Sequence, residues 1–546
     1  MAVLAGARAQ HYEVGTNLKG AGTAAAWTLL LPRLDLRAVL VVGSVSRAER
    51  AALGSLADRV VVIERDVDAE DLLRTSGEED DMSIDLVRLG RGGTALIERT
   101  PRLRQLVESR LADGASTFVE WRGTTPDPRD VGVAAANDLV LRPPLGPARL
   151  IAPIGLASVA SRLPGARKAL TPAARAGRWR VRADRLLNRV LGSSPLERWS
   201  ARQARLVTRG GGAGPPAWVA GIAAEAGMDI GASGWVLLAP GDYATQKVLL
   251  VLLDPGGDRP RTIVKISANV AHRGRLRAET EALSRLASLE AAAGRIPVVE
   301  FAGEHAGREV VGERWIAGRP FEAVASVAAD SPQYTAASGW LASLATATVR
   351  QRDAGDVGAA LRDLFDRFSA VAPLSSGELG ALAGHVRTIE AHDGTVPTVF
   401  QHGDPGTWNL VLDDADRVVF LDWEAAEPDG VPLWDLFHLQ RSFGALSAQR
   451  DGLRGTDAGL RHLVAPSPLQ DRFASEIGEQ ARAIGLAPGL VAPLFFTCWM
   501  HRALKEVTRR TPATLGRAPY LRFLRAMLAR RSEPAVQHLL GGEGSR

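Results

Sequence analysis

The chain has 546 residues, a formal net charge of only +5, 46% hydrophobic residues and a single cysteine, Cys498. That length calls for two or three domains, and the apolar content is enough to build packed cores. One cysteine excludes an intramolecular disulfide framework, residues 1–10 lack the basic-then-apolar order of a signal peptide, and no segment reaches the roughly 18 uninterrupted apolar residues of a membrane span.

In chain order, Arg37 to Gly43 predicts a strand entering a glycine turn, Ala48 to Ala57 a helix and Arg59 to Arg65 a second strand. Asp85 to Val87 and Ala115 to Glu120 predict two later strands. Strand, crossover helix and strand imply a parallel α/β sheet, so residues 1–145 are expected to form a Rossmann-like domain. The order is similar to that of a nucleoside-cofactor methyltransferase, in which Glu64 would bind a ribose. Only one glycine, Gly43, stands in Gly43-Ser44-Val45-Ser46-Arg47, where close approach to S-adenosylmethionine usually uses two or three. The expectation is a degenerate, non-catalytic domain with Glu64 as a strand-end charge; an active methyltransferase is the alternative.

Residues 146–216 are expected as a linker. Between Arg162 and Arg209 stand 13 Arg or Lys against Asp184 and Glu197, which leaves the rest of the chain net acidic. A solvated helical linker accounts for this stretch, and a patch for an anionic membrane surface is the alternative. No nucleic-acid-binding module accompanies the charge, so no nucleic acid is expected as a partner. Arg209-Gly210-Gly211-Gly212-Ala213-Gly214-Pro215-Pro216, flexible and then stiff, marks a domain boundary.

Beyond it, Trp235 to Leu238 and Gln246 to Leu253 predict a hairpin, and Arg261 to Ser267 the next strand. Lys265 lies inside the apolar run Ile263-Val264-Lys265-Ile266, where a charge needs a partner. In the following helix Leu276, Leu283 and Leu286 share a face with Glu279, which makes Glu279 the natural partner. Glu309 to Gly312 predicts a strand running into Glu313-Arg314-Trp315, and Gly339 to Val349 and Gly358 to Ala370 predict amphipathic helices.

The densest chemistry follows in His402-Gly403-Asp404-Pro405-Gly406-Thr407-Trp408-Asn409 and Val418-Val419-Phe420-Leu421-Asp422-Trp423-Glu424. Phosphoryl transfer needs a carboxylate near the acceptor hydroxyl and oxygen ligands for magnesium on the ATP phosphates. Asp404, Asn409 and Asp422 supply that set, with Asp422 ending an apolar strand. The pattern H-G-D-x-x-x-x-N, a hydrophobic strand and D-W-E resembles the aminoglycoside phosphotransferase family, which includes choline, homoserine and sugar kinases. Protein kinases differ by an Arg after the His and by Asp-Phe-Gly at the metal site.

The resemblance covers about residues 217–535. It implies an α+β bilobal protein-kinase-like domain, with an N-lobe over 217–318 and a C-lobe over 319–535, beside the α/β N-terminal Rossmann-like domain. It further implies ATP and Mg2+ as cofactors: Asp404 orienting the acceptor hydroxyl, Asn409 and Asp422 holding magnesium, and Lys265 on the α/β phosphates fixed by Glu279. The backbone near Glu313 and Trp315 would meet the adenine edge, and Asp435 would brace the catalytic loop or cap a helix. His402 is expected to support the loop and Trp408 to shape the acceptor pocket.

From Gln440 to Arg531 the chain carries 15 Arg or Lys against six Asp or Glu, a balance that disfavours a polycationic acceptor and suits a neutral sugar, an anionic metabolite or a glycan on an anionic lipid. A small-molecule or glycan hydroxyl is thus the expected acceptor. The expected location is the cytoplasm, with peripheral attachment at the membrane as the alternative. A pseudokinase scaffold, a protein kinase and a kinase whose methyltransferase domain modifies cell-surface glycans are the competing readings.

Overall fold

The computed structural model describes residues 26–75, 83–121, 136–142, 148–156, 159–160, 163, 202–208, 214–239, 247–508 and 518–541. The basic stretch 162–209 lies outside these residues apart from Leu163 and 202–208, as do residues 240–246, which hold most of the turn of the expected hairpin. The chain divides into two compact units, one of residues 1–277 and 299–315 and the other of 278–298 and 316–546.

The first unit is built on one sheet of twelve strands. In chain order these are β1 (Leu36–Val42), β2 (Ala57–Ile63), β3 (Ile84–Leu89), β4 (Leu111–Trp121), β5 (Ala136–Arg142), β6 (Leu150–Pro153), β7 (Arg202–Thr208), β8 (Gly234–Leu238), β9 (Lys247–Leu253), β10 (Pro260–Ser267), β11 (Val299–His305) and β12 (Arg308–Arg314). Their order across the sheet is β11-β12-β10-β9-β8-β6-β5-β7-β4-β3-β1-β2.

β2, β1, β3 and β4 run parallel. Helices Arg47–Gly54 and Asp66–Thr75, and then Gly93–Arg99 with Pro101–Arg110, connect them in turn. Such crossovers cover both faces of a parallel sheet, and β1 shows the result. Its Val39 and Val41 join one core cluster with Leu86 and Phe118, while Ala38, Leu40 and Val42 join another with Leu103 and Val107.

The remaining pairings are antiparallel. Two of these strands, β6 and β7, come from the segment expected as a linker, and β6 pairs directly with β8 through Leu150 opposite Leu238 and Ile151 opposite Leu237. The sheet therefore runs without a break from the N-terminal parallel strands into those that carry Lys265.

The loops leaving β1 and β3 are tied together. Ser44 and Arg91 exchange both backbone hydrogen bonds at 3.0 Å. Gly43 has φ +85°, and a Cβ there would lie 2.6 Å from the backbone N of Gly93. Its glycine character thus serves the approach of two loops of the same domain. Glu64, just past β2, pairs with Arg50.

The second unit is mainly helical, with two small three-stranded sheets. Strands Leu410–Asp413 and Val418–Phe420 form an antiparallel hairpin, and Thr395–Gln401 leads into the loop 402–409. Trp423, Phe420, Phe437, Phe443, Phe495 and Trp499 are among its largest fully buried side chains. Among the described residues, no helix is long and apolar enough to cross a membrane.

Candidate active site

In the second unit the loop 402–409 is set by its own backbone. Buried His402 accepts the Asp404 N–H at Nδ1 (3.1 Å), and its Nε2 faces the Leu421 carbonyl at 2.9 Å. This network assigns the proton to Nε2. Both ring nitrogens serve the loop and the end of the adjacent strand. Gly403 has φ +77°, and a Cβ there would lie 1.9 Å from the Ala425 carbonyl oxygen, so the chain can pass only as glycine.

Asp435 lies in the first turn of helix Trp434–Arg450. Its carboxylate accepts the backbone N–H groups of His402 at 2.6 Å and Gly403 at 3.0 Å. Burial raises its pKa, while His402 and these N–H bonds work in the opposite direction. Thr407, farther along the loop, donates its hydroxyl to Glu322 at 2.8 Å and its N–H to the Ser442 hydroxyl at 3.2 Å.

Asp404 is held from several sides. The Asn409 side-chain amide donates to the Asp404 backbone carbonyl at 2.9 Å and to its Oδ2 at 3.1 Å. Arg502, from helix Val491–Val507, places Nη1 at 3.0 Å from Asp404 Oδ1 and donates through Nη2 to the Gly403 carbonyl. Buried His438, from helix Trp434–Arg450, has Nδ1 3.5 Å from the same Oδ1. Burial, reinforced by the nearby Arg502 and Arg441, pushes the His438 pKa well down, so the ring is neutral. Trp408 is half exposed and stands edge-on to His438 at 5.5 Å between ring centroids.

Asp422 follows strand Val418–Phe420 with φ +67°, a left-handed conformation that costs a non-glycine residue about 1–2 kcal/mol. The next residue, Trp423, is fully buried and donates its N–H to Glu279 Oε1 at 3.2 Å and its indole N–H to the Phe420 carbonyl at 2.9 Å. Its ring packs against those of Trp340, Phe400 and His402. Among the described residues no group of three or more His, Cys, Asp or Glu gathers as a metal site. Magnesium needs fewer protein ligands when phosphates supply the rest, and the amide and carboxylate oxygens of Asn409 and Asp422 are the hard donors it takes.

In the first unit Lys265, on β10, lies with Nζ 2.6 Å from Glu313 Oε1 on the neighbouring β12. Glu313, expected for its backbone, thus engages Lys265 through its side chain. The register explains the pairing: Lys265 stands opposite Val311 and Ile263 opposite Glu313, which puts Lys265 and Glu313 diagonally on one face. The Trp315 N–H donates to the Arg261 carbonyl at 2.8 Å. Glu279 belongs to the second unit, where it meets Trp423.

Sequence reasoning missed Arg502 and His438. Each left a trace: Arg502 follows the largely apolar stretch Leu494 to Met500 together with His501, and His438 follows Asp435 by three residues, so both lie toward one side of that helix.

Residues 236–484 match the model of the phosphotransferase enzyme family. No curated protein matches the chain. Among solved structures, a macrolide 2'-phosphotransferase from Brachybacterium faecium is 16% identical with a TM-score of 0.34, covering 56% of this chain and 96% of its own. An aminoglycoside phosphotransferase from Streptomyces rimosus is 18% identical with a TM-score of 0.33, covering 54% and 97%. A choline/ethanolamine kinase family protein from Mesorhizobium loti is 18% identical with a TM-score of 0.33, covering 55% and 89%. The family match spans the loop that presents Asp404 and Asn409 and the strand Val418–Phe420 that precedes Asp422.

Proposed function

We propose that this protein transfers the γ-phosphate of ATP to a hydroxyl of a small molecule or glycan. The observation that carries this reading is the set around Asp404: a carboxylate oriented by Asn409 and Arg502 on a loop braced by Asp435. In phosphoryl transfer such a carboxylate accepts the hydroxyl proton and points the oxygen at phosphorus. Asn409 and Asp422 would hold Mg2+, which when bound neutralises charge on the β- and γ-phosphates. Lys265, paired with Glu313, would contact the α/β phosphates. The backbone around Glu313 and Trp315 would meet the adenine.

For the N-terminal strands we propose a Rossmann-like domain that binds no methyl-donor cofactor. Its parallel order supports the first part. The pairing of Ser44 with Arg91 supports the second, because it draws together the loops at the switch point where such folds take their ligands.

The test is Asp404→Asn in the full chain, with γ-labelled ATP, magnesium and fractionated host extract. Label should enter a small-molecule or glycan fraction with the unmodified protein, and the variant should lose at least about 100-fold in rate while still binding nucleotide. Loss of nucleotide binding in the variant would refute the role given to Asp404, and labelling of protein alone would favour a protein kinase.

A further inference from the structure

A second buried cation lies near His438, the neighbour of Asp404. Arg441, on helix Trp434–Arg450, is 9% exposed. Its guanidinium carbon lies 4.7 Å from the ring centre of Phe523, 4.9 Å from that of Tyr520 and 5.5 Å from that of Trp499. Arg441 forms no ion pair among the described residues, and its Nε is buried without an acceptor. The Trp499 indole N–H is likewise buried without an acceptor. Glu506, whose charge favours the ionised Arg441, accepts the Tyr520 N–H at 2.8 Å.

Contact with aromatic faces returns part of the hydration that a guanidinium loses on burial. It does not replace a counter-anion, and a buried cation is ordinarily paired. The field of Arg502 adds like-charge repulsion to Arg441. Yet this cluster is continuous with the catalytic carboxylate through His438, whose Nδ1 lies 3.5 Å from Asp404 Oδ1 and whose Nε2 lies 3.2 Å from the Tyr520 hydroxyl. A neutral His438 adds no negative charge to satisfy either arginine.

We propose that Arg441 binds an oxyanion, a carboxylate or a phosphate, carried by the acceptor molecule, so that the acceptor's hydroxyl is presented to Asp404. This rests on the phosphotransferase reading and adds the chemical class of its substrate: a hydroxylated anion. The planar guanidinium supplies parallel N–H donors that suit either oxyanion, and the Trp499 indole N–H offers one more.

The test uses the full chain saturated with MgADP and follows tryptophan fluorescence during titration with glycerol, glycerate and glycerol 3-phosphate. A saturable response to one or both anions, and none to glycerol, is expected; the anion that binds more tightly tells carboxylate from phosphate. Arg441→Met and Arg441→Gln should weaken that binding by a factor of about 10 to 100, with the MgADP affinity retained as the sign of a folded protein. An equal response to glycerol, no response to either anion, or wild-type anion affinity in a folded variant would overturn the proposal. Failure of the unmodified protein to bind MgADP would instead refute the phosphotransferase reading, and the same titrations without nucleotide would still report on Arg441.

Discussion

Asp435 Oδ2 accepts the backbone N–H of His402 at 2.6 Å, across 33 residues of chain. With the Gly403 N–H on Oδ1, a half-buried carboxylate satisfies two backbone donors that no regular ladder serves. Asp435→Ala strands both donors and should cost about 2–4 kcal/mol of stability in urea unfolding, with a matching loss of transfer. Asp435→Asn keeps one acceptor and should fall between; a variant as stable as the unmodified protein would show that the loop holds itself.

Gly403→Ala addresses the same loop from its backbone. With φ +77° and the Ala425 carbonyl oxygen 1.9 Å from where the new Cβ would stand, the substitution meets both strain and collision. A loss of about 2–4 kcal/mol is expected in denaturant titration, along with loss of phosphoryl transfer. Near-normal kinetics would mean that the 424–426 turn can yield.

Arg502 contacts Asp404 Oδ1 and, under the proposed function, positions it. Arg502→Lys can keep the contact to Oδ1 but not the simultaneous bond to the Gly403 carbonyl. The expected result is a kcat reduced by about 10-fold in the Lys variant and about 100-fold in Arg502→Ala, with KM for ATP unchanged in both. Equal effects on kcat and on ATP binding would point to a general loosening of the fold.

His385 provides a pH test of stability. It stacks on Phe496 with ring centroids 4.4 Å apart, and burial with the nearby Arg531 lowers its pKa from 6.5 to about 4. Between those values the unfolded chain binds a proton that the folded chain does not, so stability rises with pH across that window and is lost as pH falls through it. The contribution is at most about 3 kcal/mol. His438 and His501, also held neutral by burial, act in the same direction. His385→Phe should keep the stack and flatten the decline in melting temperature between about pH 6.5 and 4; an unchanged slope would assign the decline to the other histidines.

Local order was legible in the sequence because it depends on short spacing. The apolar run Ala38 to Val42 before Gly43, the five-residue step from Asp404 to Asn409 and the apolar strand before Asp422 are all encoded within a few residues. Some bounds shifted only slightly, as in the strand expected at Arg261 to Ser267 and found at Pro260–Ser267, whereas the helix expected from Gly339 begins at Pro332. The register that sets Glu313 beside Lys265, the entry of Leu150–Pro153 and Arg202–Thr208 into the sheet and the convergence of Arg502 and His438 on Asp404 had to await the tertiary structure. These contacts join residues far apart in the chain. They are chosen by strand pairing and helix packing, which depend on the whole assembled core and leave no periodic trace in any single segment.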